Sequence, residues 1–529
     1  MTYALRHRPG ARAPGTGDIT VALGFFILAL ATRYVSFHRS VIDWDESLYF
    51  LMAEAWRAGH LPYTTICDNK PIGIYVIFAT FQSLFGDSVG SMRLAAVTAV
   101  SATAFGLYRL YLAIMAAGGE PPDGGNLRAR LPAVVAGVLY LLASTRDGGM
   151  AANTELFIAP LICGGLLFAL SSRKGPAPVF VSGLLFGLAF IVKYVAIFEF
   201  AAPLLALTML RTRAPATPGP TRAIGLFAAG AAIPLAACFA LYACAGRAAI
   251  FVSASLVANT RRLDMPFSVD LAHRAFHDHA VAFLLPYCAF VLLLVPLIRG
   301  IAAAQDAEAR RRDGVIAAVL LLWVAGALVG TASAKSFYPH YFLQPLPALC
   351  LTAVWIAGRA LPFRGVTGFA MTLALLVQPV SGAHDAIAET WDPIRLDQPG
   401  IGWLRDEPAR IAADLRPALA GLSGTPLYVV DYQPILYSLT AVPAPTRFAF
   451  PSFIIGRFLS RVVAIDAPAE FAEIAAKRPH FIIRDRVRHP SAERDNLEVY
   501  VALAALLDTQ YRIWKTYPTA VVYRRRDDP

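Results

Sequence analysis

The segment ITVALGFFILALATRYVSF, residues 19–37, is a long apolar run that leads directly into the polar stretch VIDWDESLY, residues 41–49. A membrane-crossing helix needs about 20 predominantly apolar residues, which is the length of this run. The run is therefore either a retained membrane helix or a signal peptide with a cleavage site at Ala29-Leu30-Ala31. Three cations precede it: Arg6, Arg8 and Arg12. In both cases we expect the polar stretch on the extracytoplasmic side.

The composition of the whole chain also indicates a membrane protein. Of its 529 residues, 57% are hydrophobic and only 16% are charged, whereas about a quarter of an ordinary soluble domain is charged. These values exclude a soluble globular enzyme, a disordered chain and a collagen-like repeat. The net charge of +11 is explained by cations in membrane-flanking loops, so we expect no nucleic-acid partner. The six cysteines form no CxxC pair and predict neither a disulfide framework nor a zinc site.

Further apolar stretches are close to the length that a bilayer requires. With the first run they predict a polytopic α-helical membrane protein with about eleven transmembrane helices. The further stretches are residues 91–116, 131–146, 154–171, 178–193, 195–210, 224–245, 280–298, 315–334, 346–360 and 365–381.

The stretch 71–85 is apolar but short, and it is more typical of an interfacial or re-entrant helix than of a span. The distribution of cations supports this interpretation, because cytoplasmic loops are enriched in Lys and Arg. If 71–85 does not span, the later cation clusters share the cytoplasmic side with the N-terminus. These cations are Arg128, Arg130, Arg173, Lys174, Arg211, Arg213, Arg222, Arg299, Arg310, Arg311, Arg312, Arg359 and Arg364.

The chain changes character after about residue 381. We predict a membrane domain over residues 1–381, with extracytoplasmic loops 38–90 and 246–279, and a soluble α/β domain over residues 382–529 on the periplasmic side. In the second domain three short runs are typical of β-strands and two are typical of helices. The strands are Leu427–Val430, Phe481–Ile483 and Ala520–Tyr523, and the helices are Phe471–Lys477 and Leu497–Leu507.

The first outer loop concentrates polar residues that a simple membrane anchor does not need. On a helix that starts near residue 44, Asp45 and Tyr49 share one face, while Glu46 points about 100° away. Asp45 has an alternative interpretation as a helix N-cap. Lys70 has one as well, as a lysine whose ammonium reaches up to the membrane interface.

Several motifs together resemble the GT-C glycosyltransferases, and most closely the branch that contains protein O-mannosyltransferases and the lipid A aminoarabinose transferase. The resemblance covers residues 19–381 and depends on the order and common side of its motifs. These are Asp45-Glu46 with Tyr49, Lys70-Pro71 at the start of an amphipathic helix, Asn153-Thr-Glu155, Gly187-Leu-Ala-Phe-Ile-Val-Lys193 and Phe337-Tyr-Pro-His-Tyr-Phe-Leu-Gln-Pro-Leu-Pro347.

The resemblance implies a polyprenyl-phosphate sugar as donor and an acceptor on the outer face of the membrane. A lipid phosphate lies at headgroup depth, so the cations that bind it are expected at the outer ends of helices. A leaving phosphate gains negative charge as the sugar C1–O bond breaks, and fixed cations stabilise that charge. We therefore predict a donor-phosphate site formed by Lys70, Lys193, Lys335, His340 and Tyr341.

Asp45 is the predicted general base or steering group for the acceptor, because family members place a catalytic aspartate at this point. We expect burial at the membrane interface to raise the pKa of Asp45 towards the useful range. Glu46 is a second catalytic candidate. The predicted substrate-binding residues are Tyr49, Tyr63, Asp147, Glu155, Arg261 and Arg262.

The sequence does not decide whether the protein uses a metal ion. His273 and His277 lie four residues apart, so they share one face of a helix, and His279 is close by, but no third ligand is convincing. Some GT-C enzymes use a divalent ion near the first-loop acids and others do not. A divalent metal ion is therefore a possible cofactor.

The leading interpretation is an inverting membrane glycosyltransferase of the bacterial inner membrane, involved in the cell envelope or in lipopolysaccharide biosynthesis. Its acceptor is a glycolipid, an envelope polysaccharide or a protein. A transporter or flippase of lipid-linked sugars is the alternative, although such folds usually carry paired repeats and ionisable residues at the membrane midplane. A scaffold whose working part is residues 382–529 is a third interpretation.

Overall fold

The computed structural model describes most of the chain. The described residues are 16–117, 127–171, 175–210, 217–264, 266–282, 298, 301, 306–360, 365–395, 406–487, 490–491 and 494–528. Most of the predicted span 280–298 lies outside them. So do the following cations of the sequence-based topology: Arg6, Arg8, Arg12, Arg173, Lys174, Arg211, Arg213, Arg299 and Arg364.

The described part of residues 16–395 is almost entirely helical. Its α-helices are α1 (Thr16–Arg33), α2 (Trp44–Arg57), α3 (Gly73–Phe85), α4 (Val89–Ala117), α5 (Leu127–Ala143), α6 (Thr154–Leu170), α7 (Pro176–Val192), α8 (Ala201–Met209), α9 (Pro220–Cys244), α10 (Ala248–Phe251), α11 (Ala258–Arg261), α12 (Val269–Ala282), α13 (Ala307–Ser333), α14 (Leu346–Ala360) and α15 (Gly365–Arg395). The 3₁₀ segments are Tyr34–His38, Tyr194–Phe200, Arg262–Asp264 and Pro339–Leu343, and Val252–Val257 is a π-helix.

Five helical stretches of the described residues are long and apolar enough to cross a membrane: Gly17–His38, Val89–Ala117, Pro220–Cys244, Ala307–Ser333 and Pro339–Gly358. Shorter apolar helices occupy several of the other predicted spans, including α5, α6 and α7. The protein is therefore a helical membrane protein, and the count of about eleven spans stays a prediction.

Glycines on α7 allow this helix to approach α9 closely. A methyl group at Gly183 would lie 2.0 Å from the carbonyl oxygen of Phe227, and one at Gly187 would lie 2.3 Å from that of Ala231. Such distances are too short for any side chain, so only glycine fits at these two positions. Small residues at helix contacts are the usual means by which membrane helices pack.

The amphipathic helix α3 contains 13 residues and packs against α2, α4 and α7. At 1.5 Å per residue it is roughly 20 Å long, which is shorter than the hydrocarbon core of a bilayer. That residues 71–85 do not span the membrane stays a prediction. The helix packs against α2, which carries Asp45, and can shape a site there.

Residues 406–528 form an α/β unit around a four-stranded sheet. The helices are α16 (Glu407–Leu419), α17 (Ile435–Thr440), α18 (Ser452–Ile455), α19 (Arg457–Val462), α20 (Ala467–Ala476) and α21 (Leu497–Gln510). The strands are β1 (Leu427–Asp431), β2 (Phe481–Asp485), β3 (Tyr511–Thr516) and β4 (Ala520–Arg525), in the order β1-β2-β4-β3. Strand β1 pairs with β2 in parallel, and the other two pairings are antiparallel.

The three predicted strands and two predicted helices of this unit are confirmed. Strand β3 was missed, because its sequence YRIWKT carries charged residues at an edge of the sheet and has a mostly exposed surface. The predicted boundary at residues 381/382 falls inside the continuous helix α15.

The α/β unit contacts the segment 38–90 through reciprocal hydrogen bonds. The backbone N–H of Cys67 donates to the carbonyl of Arg447 at 2.7 Å, and the Arg447 guanidinium donates to the carbonyl of Tyr63 at 2.9 Å. The hydroxyl of Ser438 donates to the Glu54 carboxylate at 2.7 Å. Residues of the α/β unit therefore hold the loop that carries Lys70 in place.

Candidate active site

Helix α2 begins with a capping box that is formed by Asp43 and Glu46. The Asp43 carboxylate accepts from the backbone N–H of Asp45 at 3.0 Å, and the Glu46 carboxylate accepts from the backbone N–H of Asp43 at 3.4 Å. This arrangement satisfies N–H groups that the first turn of a helix leaves free. The alternative interpretation of Asp45 as the N-cap is therefore wrong, and its carboxylate is available for other contacts.

Asp45 lies at the centre of a small group of polar side chains. The Lys70 ammonium is 2.8 Å from its Oδ2 atom, and the Tyr49 hydroxyl, one helical turn later, donates to the same atom at 3.2 Å. The Nε2 atom of His340 is 4.0 Å from this oxygen. The side chains of Asp45 and Lys70 keep 19% and 13% exposure, so the pair borders a solvent-accessible space.

The electrostatic surroundings reverse the pKa direction that we expected for Asp45. Burial raises the pKa of this carboxyl, but Lys70, His340 and Arg262 outweigh burial and hold the pKa below its usual range. The expectation of a raised pKa is therefore wrong, because the sequence did not reveal how many cations meet here. In this structure Asp45 is ionised at neutral pH.

Two tyrosines fix the backbone at Lys70. The Tyr63 hydroxyl donates to the carbonyl of Lys70 at 2.7 Å, and the Tyr75 hydroxyl donates to Asp68 at 2.8 Å while lying 3.3 Å from the same carbonyl. Tyr63 is fully buried and adopts a positive φ of 67°. It was predicted to bind substrate, but its contacts are those of a residue that supports the Lys70 loop.

Glu46 points away from Asp45, as the helical geometry predicted. Its two carboxylate oxygens accept from the Arg93 guanidinium at 2.5 and 2.8 Å, and one of them also accepts from the backbone N–H of Ala152 at 2.7 Å. Neither side chain of this ion pair is exposed at all. This placement does not suit the predicted catalytic role, because the carboxylate is saturated by protein donors.

Two further cations, Lys193 and Arg262, contact Tyr341, which follows His340 in the chain. Lys193 follows α7, forms an ion pair with Glu155 at the start of α6, and lies 4.3 Å above the ring of Tyr341. Arg262 makes a side-chain hydrogen bond to Tyr341. The structure thus brings together residues that are far apart in sequence: Lys70, Lys193, Arg262, His340 and Tyr341 all interact electrostatically.

Three more of the predicted site residues make contacts with other partners. Lys335 donates to the carbonyl of Leu263 at 2.7 Å, and Arg261 donates to the carbonyl of Val462 in the α/β unit at 3.0 Å. Asp147 lies 2.5 Å from the Nδ1 atom of His279. Arg261 therefore joins the 246–279 loop to the α/β unit in this structure.

Two polar residues of the site, Asp43 and Asn153, were not among the predicted site residues, although Asn153 belongs to one of the motifs of the resemblance. Asp43 could have been found, because Asp followed three residues later by Glu is the pattern of a capping box. Asn153, which begins α6, donates to the carbonyl of Gly148 at 3.1 Å and lies 3.4 Å from Asp43. No local pattern marks Asn153 as a neighbour of Asp43, since 110 residues separate them.

No group of three or more His, Cys, Asp or Glu side chains that could hold a metal ion occurs among the described residues. His277 is 70% exposed and lies beside Asp278. Near the first-loop acids, Asp45 is paired with Lys70, and Asp43 is engaged by His340. Because both carboxylates already face basic side chains, they do not fit a divalent ion well.

Comparison with solved structures identifies the architecture as the GT-C glycosyltransferase fold. One of the matching structures is ArnT from Cupriavidus metallidurans bound to undecaprenyl phosphate, with TM-score 0.58 and 16% identity over 96% of this chain and 98% of that chain. The apo state of the same protein gives 0.55 with the same identity and coverage. ArnT represents the aminoarabinose transferase branch that the sequence resembles. At this identity the likeness establishes the fold.

An oligosaccharyltransferase from Archaeoglobus fulgidus aligns less closely, with TM-score 0.47 and 11% identity over 97% of this chain and 74% of that chain. No protein-family model matches the sequence, and a comparison with curated proteins finds no match.

Proposed function

We propose that the protein is a membrane glycosyltransferase that transfers a sugar from a polyprenyl-phosphate donor to an extracytoplasmic acceptor. The observation that carries this proposal is the convergence of Lys70, Lys193 and Arg262 on Tyr341, directly beside the carboxylate of Asp45. Three cations around one tyrosine, with a carboxylate beside Lys70, suit a phosphate leaving group and an incoming nucleophile. The shared fold with ArnT, which was solved with undecaprenyl phosphate, supports the same donor class.

Arg262 is the cation best placed to receive the phosphate. Lys70 and Lys193 have carboxylate partners, Asp45 and Glu155. Within the part of the chain that the structure describes, no carboxylate is recorded within 4.0 Å of Arg262. A guanidinium presents a planar set of donors that matches phosphate oxygens. We assign the donor phosphate to Arg262 and Tyr341, with Lys70 and Lys193 beside them.

Donor binding would change the state of Asp45. The Lys70 ammonium holds the pKa of Asp45 down in the free protein. When the phosphate attracts this ammonium, Asp45 loses part of that stabilisation and becomes a stronger base. The site thereby couples the arrival of the donor to activation of the carboxylate that handles the acceptor.

The reaction then balances without a further reactant. An acceptor hydroxyl gives its proton to Asp45 and forms a bond from its oxygen to the sugar C1 atom. The C1–O bond to the phosphate breaks, and polyprenyl phosphate leaves with the electron pair, stabilised by the cations. Attack from the face opposite the phosphate inverts C1. If the acceptor is itself a phosphate, no proton is removed and Asp45 orients it instead.

The membrane orientation, the acceptor class and the residues that border the acceptor are also part of this proposal. The site faces the periplasm of a bacterial inner membrane, with the N-terminus in the cytoplasm and residues 406–528 outside. The acceptor is a glycolipid, an envelope polysaccharide or a protein. Tyr49 and Glu155 border the sugar and acceptor space. The polar cluster lies at one end of the described helices, which does not favour the transporter alternative.

The experiment uses the full-length protein, purified in detergent and mixed with polyprenyl-phosphate-linked sugars and candidate acceptors. Mass spectrometry follows release of polyprenyl phosphate and the glycosylated product. We expect turnover by the wild type and its loss in Asp45→Asn, with unchanged thermal unfolding. Asp466→Asn is the matched control, because Asp466 is an N-cap outside the site that asparagine can replace. Wild-type turnover in Asp45→Asn would refute the assigned role, and flipping of donor without product would favour the transporter.

A further inference from the structure

His340 lies between two aspartates that belong to the same turn of the chain. Its Nδ1 atom is 3.1 Å from Oδ2 of Asp43, and its Nε2 atom is 4.0 Å from Oδ2 of Asp45. The ring is 9% exposed and lies parallel to that of Tyr338, with 5.9 Å between the centroids. The Thr331 hydroxyl donates to the carbonyl of the next residue, Tyr341, at 3.0 Å. The imidazole is therefore held in one orientation by its surroundings.

Asp43 uses its two carboxylate oxygens for different purposes. Oδ1 accepts from the backbone N–H of Asp45 and thus caps α2. Oδ2 faces the His340 ring at 3.1 Å and the Asn153 amide at 3.4 Å. A helix cap needs only the first oxygen, and asparagine would provide it equally well. The contact with His340 is a second function that capping does not explain.

A carboxylate at Nδ1 determines how the imidazole presents its other nitrogen. It favours a proton on Nδ1 and fixes the ring plane, so Nε2 is the nitrogen that faces the site. The acidic groups that interact with His340 are Asp43, which caps α2, Asp45 in the first turn of α2 and Glu155 in the first turn of α6. These three negative charges favour a protonated ring. A cationic His340 and Lys70 then approach Asp45 from different elements.

We propose that Asp43 is a positioning residue that acts through His340. It holds His340 with Nε2 towards Asp45, and the cationic ring keeps Asp45 ionised and directed at the acceptor. The proposal deepens the glycosyl transfer proposed above and depends on it. Asp43 itself touches neither donor nor acceptor in this scheme.

The test is a double-mutant cycle on the full-length enzyme with Asp43→Asn, His340→Asn and the double variant. Asp43→Asn keeps the cap and removes the charge that faces His340. His340→Asn keeps an amide near the position of Nδ1 and removes Nε2. We expect each single variant to lower kcat/KM by at least about tenfold, because small errors in placement are costly at a reacting centre. The double variant should stay within about twofold of His340→Asn, since Asp43 acts only through Nε2.

The pH profile separates this route from a direct effect of the Asp43 charge. The groups that lower the pKa of Asp45 are Lys70, His340 and Arg262. If Asp43→Asn weakens the cationic ring, the pKa of Asp45 rises and the acidic limb of kcat/KM moves to higher pH. Simple removal of a negative charge near Asp45 would lower that pKa and move the limb to lower pH.

Each outcome decides the matter. Wild-type kcat/KM in Asp43→Asn, additive losses in the double variant, or an acidic limb that moves to lower pH would overturn the role of Asp43 while leaving the transfer reaction intact. Absence of turnover in the wild type with every donor would instead refute the proposed function, and this inference with it. Thermal unfolding of Asp43→Asn should match the wild type, because asparagine keeps the cap. A large loss of stability would overturn the positioning role in favour of a structural one.

Discussion

Replacing Glu46 by glutamine tests whether this acid is structural while its neighbour Asp45 is functional. In the wild type, Glu46 Oε1 accepts from Arg93 and from the backbone of Ile42, and Oε2 accepts from Arg93 and from the backbone of Ala152. Glutamine keeps one acceptor oxygen and places an NH₂ group at the other position. At the Oε1 position this amide would face the N–H groups of Arg93 and Ile42, and at the Oε2 position those of Arg93 and Ala152. In both cases a donor faces donors, and Arg93 loses its counter-ion.

The expected cost follows from the complete burial of both side chains. Breaking one partner of a buried ion pair typically destabilises a protein by about 3–5 kcal/mol, because the other charge stays buried without compensation. The carbonyls of Ser36 and Arg39, which accept from Arg93 at 3.1 and 3.2 Å, retain it in place but do not neutralise it. We expect an apparent melting temperature lower by roughly 3–5 °C.

The assay is thermal unfolding of purified protein in detergent, together with donor turnover per folded molecule. Glu473→Gln is the matched control, because Glu473 is exposed on α20 and its replacement should change stability by less than about 0.5 kcal/mol. Asp45→Asn should behave oppositely to Glu46→Gln, with normal unfolding and lost turnover. A Glu46→Gln variant that melts like the wild type, or that loses only turnover, would refute the structural role of this ion pair.

Two further predictions concern buried acids. Burial raises the pKa of Asp68 to about 6, because it outweighs the opposite effect of Lys70. The folded state therefore favours the protonated carboxyl. Its contribution to the free energy of unfolding is lost as the pH rises through about 6. Asp68→Asn should therefore gain in melting temperature relative to the wild type between pH 4 and pH 7, and a difference that is constant with pH would contradict this. Glu199 accepts from Trp323 at 2.7 Å and from the Gln344 amide at 2.8 Å, so Glu199→Ala should cost roughly 2–4 kcal/mol by leaving two buried donors unpaired. Among the described residues, the Gln344 side-chain oxygen has no hydrogen-bond partner. In Glu199→Gln this oxygen can turn towards the new amide, so the variant should unfold near the wild-type temperature. Equal losses in Glu199→Ala and Glu199→Gln would refute the network.

The location of the polar chemistry could be predicted because it depends on local pattern. Apolar runs mark the helices, and the polar stretch after the first run marks the segment that carries Asp45. The period of the helix also separated Asp45 and Tyr49 from Glu46. The structure places Lys70 2.8 Å from Asp45, as the prediction of a shared site required.

The partners of these groups could not be predicted, because they come from distant segments. Arg93 lies in an apolar helix 47 residues after Glu46, and nothing around it indicates that it neutralises a first-loop acid. Asp43 and His340 are almost 300 residues apart. The edge strand β3 was missed for a similar reason, since its pairing with β4 outweighs its charged sequence.

The sequence by itself determined that the chain is a helical membrane protein with several acids in the stretch 38–90, because hydropathy and helical period are properties of neighbouring residues. The tertiary structure decided which acid is neutralised in the interior and which one borders the open space, and it decided the direction of the pKa of Asp45. Electrostatic free energy depends on distances in space and on exclusion of water, and neither follows from separation along the chain.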